Sequence, residues 1–329
     1  MNIYDIAREA GVSITTVSRV INHREQVNTE TREKVEKVLK EYNYKPNAIA
    51  RNLVTKSLKT VAVLTIDIRE PHYARTAYII ERELSRRGYE VVICNTGGEL
   101  SETERYLQSL MEKHIDGIIL VGSVFNKIGQ NQKIQGMLKT FPVVLANGSL
   151  NLKKSYSVLV DDQYGLSLAV DHLVEKGHKN IYYFMDQDTA SAHEKKEGFL
   201  KSMTKYGMED PSSHVITIDA SIAGGINGVK QLLEKDTSAT AIVCGNDNTA
   251  VGAVKELTRR GIKVPEEIAV IGYNNSEYAR ICQPELTTID NKPELVAMLC
   301  VQLMISLIEN TDTYSSGVIR PELVLGKTT

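Results

Sequence analysis

Ile3-Tyr4-Asp5-Ile6-Ala7-Arg8-Glu9-Ala10-Gly11-Val12-Ser13-Ile14-Thr15-Thr16-Val17-Ser18-Arg19-Val20-Ile21 is the stretch on which the reading of this chain turns. Ile3, Ile6, Ala7 and Ala10 recur at i, i+3, i+4 and i+7, the spacing of one face of an α-helix. Gly11 accepts the left-handed backbone that ends a helix. Ser13 is a good N-cap for a second short helix with Val17, Val20 and Ile21 inward. Two short helices joined by Gly11-Val12 predict a helix-turn-helix. Further on, Asn28 and Thr29 precede a third helix with Val35, Val38, Leu39 and Tyr42 on one face. Pro46 removes a helix donor and ends it, leaving Asn47 to Thr55 for one more short helix.

In such an arrangement the second helix lies in a DNA major groove, with Ile14, Thr15, Ser18 and Arg19 turned away from the core positions. Arg19 is the best base reader, because a guanidinium donates twice to guanine O6 and N7. Ile14 offers apolar contact, as to a thymine methyl. Tyr4, Ser13, Thr16, Asn22, Asn28 and Thr31 carry polar groups at helix ends or turns, where phosphate contacts fix register without reading sequence. The competing reading of the same pattern is a helical bundle that caps something else.

The remainder has another rhythm. From Val61-Ala62-Val63-Leu64 onward, short apolar runs (Val91-Val92-Ile93, Ile118 to Val121, Val143-Val144-Leu145, Val158-Leu159-Val160, Ile181 to Phe184, Ala241-Ile242-Val243, Ala269-Val270-Ile271) alternate with amphipathic stretches. Runs that are apolar throughout belong to parallel strands covered on both faces, so the pattern predicts doubly wound α/β layers, with a ligand beyond the carboxyl ends of the strands. A chain of 329 residues has room for two such sheets besides the helical head.

Charge supports the partition. The whole chain carries a net charge of -2, which gives no general attraction to nucleic acid or membrane. Residues 1–56, however, hold 10 Lys and Arg against 7 Asp and Glu, and residues 57–329 hold 29 against 34, so a basic head of +3 precedes an acidic remainder of -5. Hydrophobic content of 42% and charged content of 24% exclude a disordered chain, a collagen and a disulfide scaffold. No apolar run approaches the ~20 residues of a membrane span, and Met1 to Ala10 lacks a signal peptide's apolar core. Cys94, Cys244, Cys282 and Cys300 are scattered, without a C-x-x-C pair or His at metal-ligand spacing. Reduced thiols and a cytoplasmic address are expected, with no metal and no cofactor.

Four runs in the head, Ile3 to Ser13, Thr16 to Asn22, Thr31 to Val35 and Tyr44 to Arg51, closely resemble the DNA-binding head of the lactose-repressor/galactose-repressor (LacI/GalR) family. The resemblance continues in Ile115-Asp116-Gly117-Ile118-Ile119, Gly177-His178-Lys179-Asn180-Ile181, Asn246-Asp247 and Leu286-Thr287-Thr288, and so covers essentially the whole chain. It implies an all-α helix-turn-helix head over residues 1–45, a hinge helix and linker over 46–57, and a two-lobed effector domain over 58–329 of the periplasmic-binding-protein type. The N-lobe would span about 58–160 and 290–318, the C-lobe about 161–289 and 319–329. It also implies DNA contacts at Tyr44, Asn47 and Ala50, and a leucine wedge in the minor groove, matched here by Leu53.

Carried over position by position, the effector cleft would hold Arg69, His72, Tyr73, Asn147, Asp161, Lys195, Asn246, Asn274 and Asn291. Three of these depart from the pattern. Many sugar-responsive members have an arginine where Lys195 stands and aspartates where Asn147 and Asn274 stand. Lys is a compact point charge and Asn has one acceptor oxygen. With Arg69, His72 and Arg75 nearby in sequence, the cleft is expected to be less acidic than usual, and the effector to be a sugar bearing an acidic group, such as a sugar phosphate or uronate. The plainer alternative is ordinary repacking around a neutral sugar.

Other motifs carry less. Gly224-Gly225-Ile226-Asn227-Gly228 lacks the spacing and the Lys-Ser/Thr ending of a phosphate loop and reads as the start of a helix. Asp161 and Asp162 are adjacent in an extended segment and point to opposite faces, which argues against a shared acid/base site. His178 reads as a structural cap, and neither G-x-S-x-G nor H-E-x-x-H occurs. The reading is a non-enzymatic transcription regulator, most simply a repressor of carbohydrate-related genes. It would act as a homodimer on a roughly palindromic double-stranded DNA operator under a small effector. A catabolite-control regulator governed by a phosphorylated partner protein, and a cytoplasmic solute-binding protein, are the alternatives. The end at Leu325-Gly326-Lys327-Thr328-Thr329 offers no heptad tail for a tetramer.

Overall fold

The computed structural model describes residues 2–21, 27–43, 58–311 and 315–329, and contacts divide the chain into two compact units, Met1–Leu58 and Lys59–Thr329. The first contains α1 (Ile3–Ala10), α2 (Ile14–Ile21) and α3 (Thr29–Glu41). Asn2 caps α1 by accepting from the N–H groups of Tyr4 and Asp5, while the Asp5 carboxylate accepts from the Asn2 N–H in return. Gly11 ends α1 at φ 64°, a conformation that costs any residue with a Cβ. Ser13 Oγ accepts from Thr16 N at 3.2 Å and Asn28 Oδ1 from Thr31 N at 2.8 Å, so α2 and α3 also begin with capped donors. Ile6, Ala7, Val17, Val20 and Val35 form the buried centre, with Val38 and Leu39 partly buried against it. Tyr42 departs from the expected inward face and is 44% exposed. It is the C-cap of α3, where the backbone has left helical geometry.

In the second unit, β1 (Thr60–Thr65), β2 (Glu90–Asn95), β3 (Gly117–Val121), β4 (Val143–Ala146) and β5 (Ser155–Val160) build one sheet. A second is built from β6 (Ile181–Met185), β7 (Val215–Thr217), β8 (Ala241–Cys244), β9 (Ala269–Tyr273) and β10 (Thr287–Asp290). Late in the chain β11 (Gly317–Ile319) joins the first and β12 (Glu322–Val324) the second, giving orders β11-β5-β4-β3-β1-β2 and β12-β10-β9-β8-β6-β7. Every pairing is parallel except β10 with β12, where Ile289 lies opposite Leu323 in antiparallel register. The helices that cover these sheets and matter to the site are α4 (Pro71–Arg86), α5 (Leu100–Glu112), α6 (Gln132–Leu138), α7 (Asp162–Glu175), α8 (Ala190–Lys205), α9 (Ile222–Lys235), α10 (Asp247–Arg259), α11 (Glu277–Ile281) and α12 (Pro293–Glu309).

The expected doubly wound architecture is therefore present, and its apolar runs are buried where strands are central: Val61 to Leu64 and Ile118 to Leu120 are fully buried. The run Val91-Val92-Ile93 is a correction. It forms the outer strand β2, and Ile93 is 44% exposed because nothing pairs beyond it in the sheet. Gly224 to Gly228 lies within α9 and not in a loop. A Cβ on Gly225 would strike the Thr249 carbonyl, and one on Gly252 the Ile222 carbonyl, so these glycines let α9 and α10 touch backbone to backbone. The chain passes between the sheets after β5, after β10 and between β11 and β12. Consequently α12 packs its Val296, Ala297, Cys300 and Met304 on the first lobe although it follows the last major strand of the second. Among the described residues no helix is long and apolar enough to cross a membrane, and no His, Cys, Asp or Glu group is arranged to hold a metal ion.

Candidate functional site

On the head, burying Val17 and Val20 turns the opposite side of α2 outward. Thr15 and Arg19 are exposed, Ile14 is 40% exposed, and Thr16 and Ser18 are half-buried beside them. Tyr4 is exposed at the start of α1. Ser13 and Asn28, expected as phosphate contacts, spend one side-chain oxygen each on capping, and the Ser13 hydroxyl also bonds that of Thr16 at 2.9 Å. Thr31 is half-buried in the first turn of α3. Asn22, Tyr44, Asn47, Ala50, Leu53 and the 46–57 hinge lie outside the described residues.

In the second unit a cavity of about 260 Å³ opens between the lobes. Seven of the nine expected effector residues line it: His72, Tyr73, Asn147, Lys195, Asn246, Asn274 and Asn291. Two do not. Arg69 points its side chain to solvent, 87% exposed, and holds Asp67 with Nε and Nη2, the latter at 2.6 Å. Asp161 caps α7, accepting from Tyr164 N at 3.0 Å.

The local reasons for the lining are legible. Pro71 opens α4, placing His72 and Tyr73 in its first turn at the carboxyl edge of β1. Asn147 (φ 52°) and Asn274 (φ 102°) follow β4 and β9 in left-handed backbone, which Asn tolerates better than most residues. Asn246 caps α10 through Asn248 N at 3.0 Å. Asn291 donates to Asn274 Oδ1 at 3.0 Å, and its own Oδ1 is buried without a partner.

Lys195, in the first turns of α8, is nearly buried. Its ammonium donates to the Gly245 carbonyl at 2.8 Å and lies 3.7 Å over the Tyr273 ring. The cation is thus held by the protein, with carboxylates around it that position-by-position comparison missed. Asp67, Glu70 and Asp247 line the cavity beside Lys195 as its charged residues. The cleft thus holds three carboxylates besides its ammonium, although Asn147 and Asn274 stand where many sugar-responsive members have aspartates. Burial, then the neighbouring Asp67, raises the Glu70 pKa, and Glu70 accepts from Asn248 Nδ2 across the lobes at 3.3 Å. Burial pushes Asp247 up to about 6, against hydrogen bonds from Thr288 and Ser276. It does the same to Asp186, also about 6, behind Lys195.

Asp162 was likewise missed. It and Asp161 do diverge as expected, Asp161 to its cap and Asp162 inward to Tyr273, Ser191 and Asn147. The signal for Asp162 was its place two residues after β5, opening a helix at a crossing between lobes.

A profile described as bacterial regulatory proteins, lacI family, matches residues 2–47, and one described as a periplasmic binding protein-like domain matches residues 170–329. An HTH-type transcriptional regulator of Lachnoclostridium phytofermentans is 32% identical over 331 residues, covering 100% of this chain and 99% of the relative. The chain belongs to the lacI family of bacterial regulatory proteins. The ribose operon repressor of Escherichia coli K12 is 34% identical, with 92% of each chain covered. A lac repressor dimer bound to operator and an anti-inducer superposes with a TM-score of 0.88 at 26% identity, over 100% of this chain and 98% of that one. Membership of the lacI family makes the head and the two lobes a single DNA-binding transcriptional regulator, as the resemblance of its head motifs implied.

Proposed function

We propose that this regulator binds a roughly palindromic operator as a homodimer in the cytoplasm, and releases or engages it in response to a small polyhydroxylated effector held between its lobes. The observation that carries the reading is the coexistence, in one chain, of an outward α2 face bearing Arg19, Ile14 and Thr15 with an interlobe cavity walled by asparagine and acidic side chains. In this reading α2 lies in the major groove, Arg19 reads a guanine, and Ser13, Thr16, Asn28 and Thr31 hold phosphates. Residues 46–57 act as the hinge and Leu53 as its wedge.

The cleft suits a sugar because its lining combines acceptors, the carboxylates and amide oxygens, with amide, hydroxyl and ammonium donors, and sugar hydroxyls both donate and accept. The unpartnered Oδ1 atoms of Asn248 and Asn291 are buried, and hydroxyls donate to such atoms. Effector binding would shift the lobes, and through them the spacing of the two heads. Nothing in this scheme requires catalysis. Selection of bound sequences from a random DNA pool, repeated with a panel of sugars, tests it. An enriched inverted repeat whose recovery changes with a sugar is expected, and a pool without any enriched repeat would overturn it.

A further inference from the structure

We infer that a vestibule beside the cleft receives an acidic group, phosphoryl or carboxylate, carried by the same effector whose hydroxyls occupy the cleft; this rests on the reading of the cleft as an effector site. The vestibule is a cavity of about 570 Å³ that shares the walls Pro71, His72, Asn274 and Ser276 with the cleft. Charge separates between the two chambers. The cleft is lined by three carboxylates and one ammonium, whereas the vestibule is lined by Arg69, Arg75 and Arg280 against Glu277 alone. Arg69 is steadied by Asp67, and Arg75 by Glu294 and the Asn275 carbonyl. Arg280, on the exposed side of α11, has no ion pair among the described residues.

His72 stands in the shared wall. The residue is half-buried, but its Nδ1 atom is buried and has no hydrogen-bond partner, a cost that a ligand atom at the passage would remove. Burial, then Lys195, then Arg75 hold its pKa down at about 4, so the ring is neutral and can donate. An oxyanion at this point accepts from the neutral imidazole in its Nδ1–H form and extends toward Arg280, the vestibule guanidinium that has no ion pair among the described residues. Guanidinium forks match the paired oxygens of carboxylate and phosphate. A ligand with a polyol end and an acidic end thereby meets the hydroxyl, amide and carboxylate groups of the cleft at one end and guanidinium donors at the other.

The test is calorimetry on the full chain with pentoses and hexoses, each paired with its terminal phosphate and its uronate, and with inorganic phosphate alone. For at least one sugar the acidic member should bind about tenfold tighter than the neutral one. In Arg280→Gln, a surface change that spares the fold, that advantage should fall below about threefold while the neutral sugar binds as before. Inorganic phosphate should shift the His72 ring resonances in the parent and do so more weakly in Arg280→Gln. Neutral members that bind as tightly as acidic ones, an undiminished advantage in Arg280→Gln, or a His72 ring unmoved by phosphate would each overturn the proposal. If a neutral sugar binds and alters operator affinity with no gain from its phosphate, the vestibule fails and the effector reading stands. If no member of any pair binds, both fail.

Discussion

The Tyr273 phenol donates to Asp162 Oδ1 at 2.5 Å while the same ring carries the Lys195 ammonium 3.7 Å from its centre. One buried side chain therefore joins the first residue of α7, just past a lobe crossing, to the cation of the cleft. Asp162 also accepts from the Ser191 hydroxyl and from Asn147 Nδ2, at 2.5 and 3.2 Å. Asn147 belongs to the first lobe, so the crossing is pinned from both sides. The positions of Lys195 and of the lobes are consequently not independent.

Tyr273→Phe separates the two roles of this ring. It keeps the aromatic face under Lys195 and removes the donor to a buried carboxylate, which should cost about 1 to 3 kcal/mol of stability. Denaturant unfolding measures it. Tyr273→Leu should cost more and also weaken effector binding, since it removes the face as well. Equal stability of Tyr273→Phe and the parent would mean that the remaining partners of Asp162 suffice.

Asp186 and Asp247 should make part of the stability fall as pH rises. Burial lifts both from 3.8 to about 6, so between these values the folded chain holds protons that the unfolded chain has lost. Stability from each is complete below about pH 4 and declines as pH rises through 6, by up to roughly 3 kcal/mol per group. Glu256 works in the opposite sense. Hydrogen bonds from Arg259 and Arg260 hold it near 2, and its contribution is lost only as pH falls toward that value. The difference between parent and Asp186→Asn isolates the first effect. Relative to the parent, the variant should gain stability between pH 4 and 7, and a pH-independent difference would refute the shift.

The head was legible in sequence because its determinants are local. Gly11, Ser13 and Asn28 each act on a backbone within a few residues, and the 3.6-residue period already separates Val17 and Val20 from Arg19. Four of the lining asparagines, Asn147, Asn246, Asn274 and Asn291, were also legible, since each follows a strand or starts a helix at a fixed point of the fold, whereas Asn248 was not. What escaped was the charge of the cleft. Glu70 meets Asn248 across 178 positions of sequence, and Asp162 meets Tyr273 across 111. Counting charge at three aligned positions could not include acids delivered by other elements. Ile93 and Tyr42 were misjudged for a related reason, as apolar pattern does not mark a sheet's edge or the last residue of a helix.

The contact between α9 and α10 predicts a steep cost for small additions. Gly252→Ala puts a methyl group where the Ile222 carbonyl stands, which no side-chain rearrangement relieves. Overpacking of this kind typically costs about 1 to 3 kcal/mol, although alanine otherwise favours a helix. Gly136→Ala, in α6 with open space around it, serves as the control and should be neutral or slightly stabilising. A thermal shift of the same size in both variants would show that helix packing does not decide the matter.

Arg19→Ala provides the sharpest test of the head, because base reading and phosphate holding leave different signatures. Arg19 is exposed on the outer face of α2, and its loss leaves the buried Val17 and Val20 untouched, so the helices should remain folded. If its guanidinium reads a guanine, operator affinity should fall by about fivefold to a hundredfold, and preference should relax at one base pair in each half-site. Loss of a phosphate contact would instead weaken all sequences alike and lower the salt dependence of binding, which is steeper the more phosphates are neutralised. Affinity measured at several salt concentrations, on the selected operator and on single-base variants, distinguishes the two. Uniform weakening across the variants would make Arg19 a phosphate contact and leave base reading to Ile14, Thr15 and Ser18.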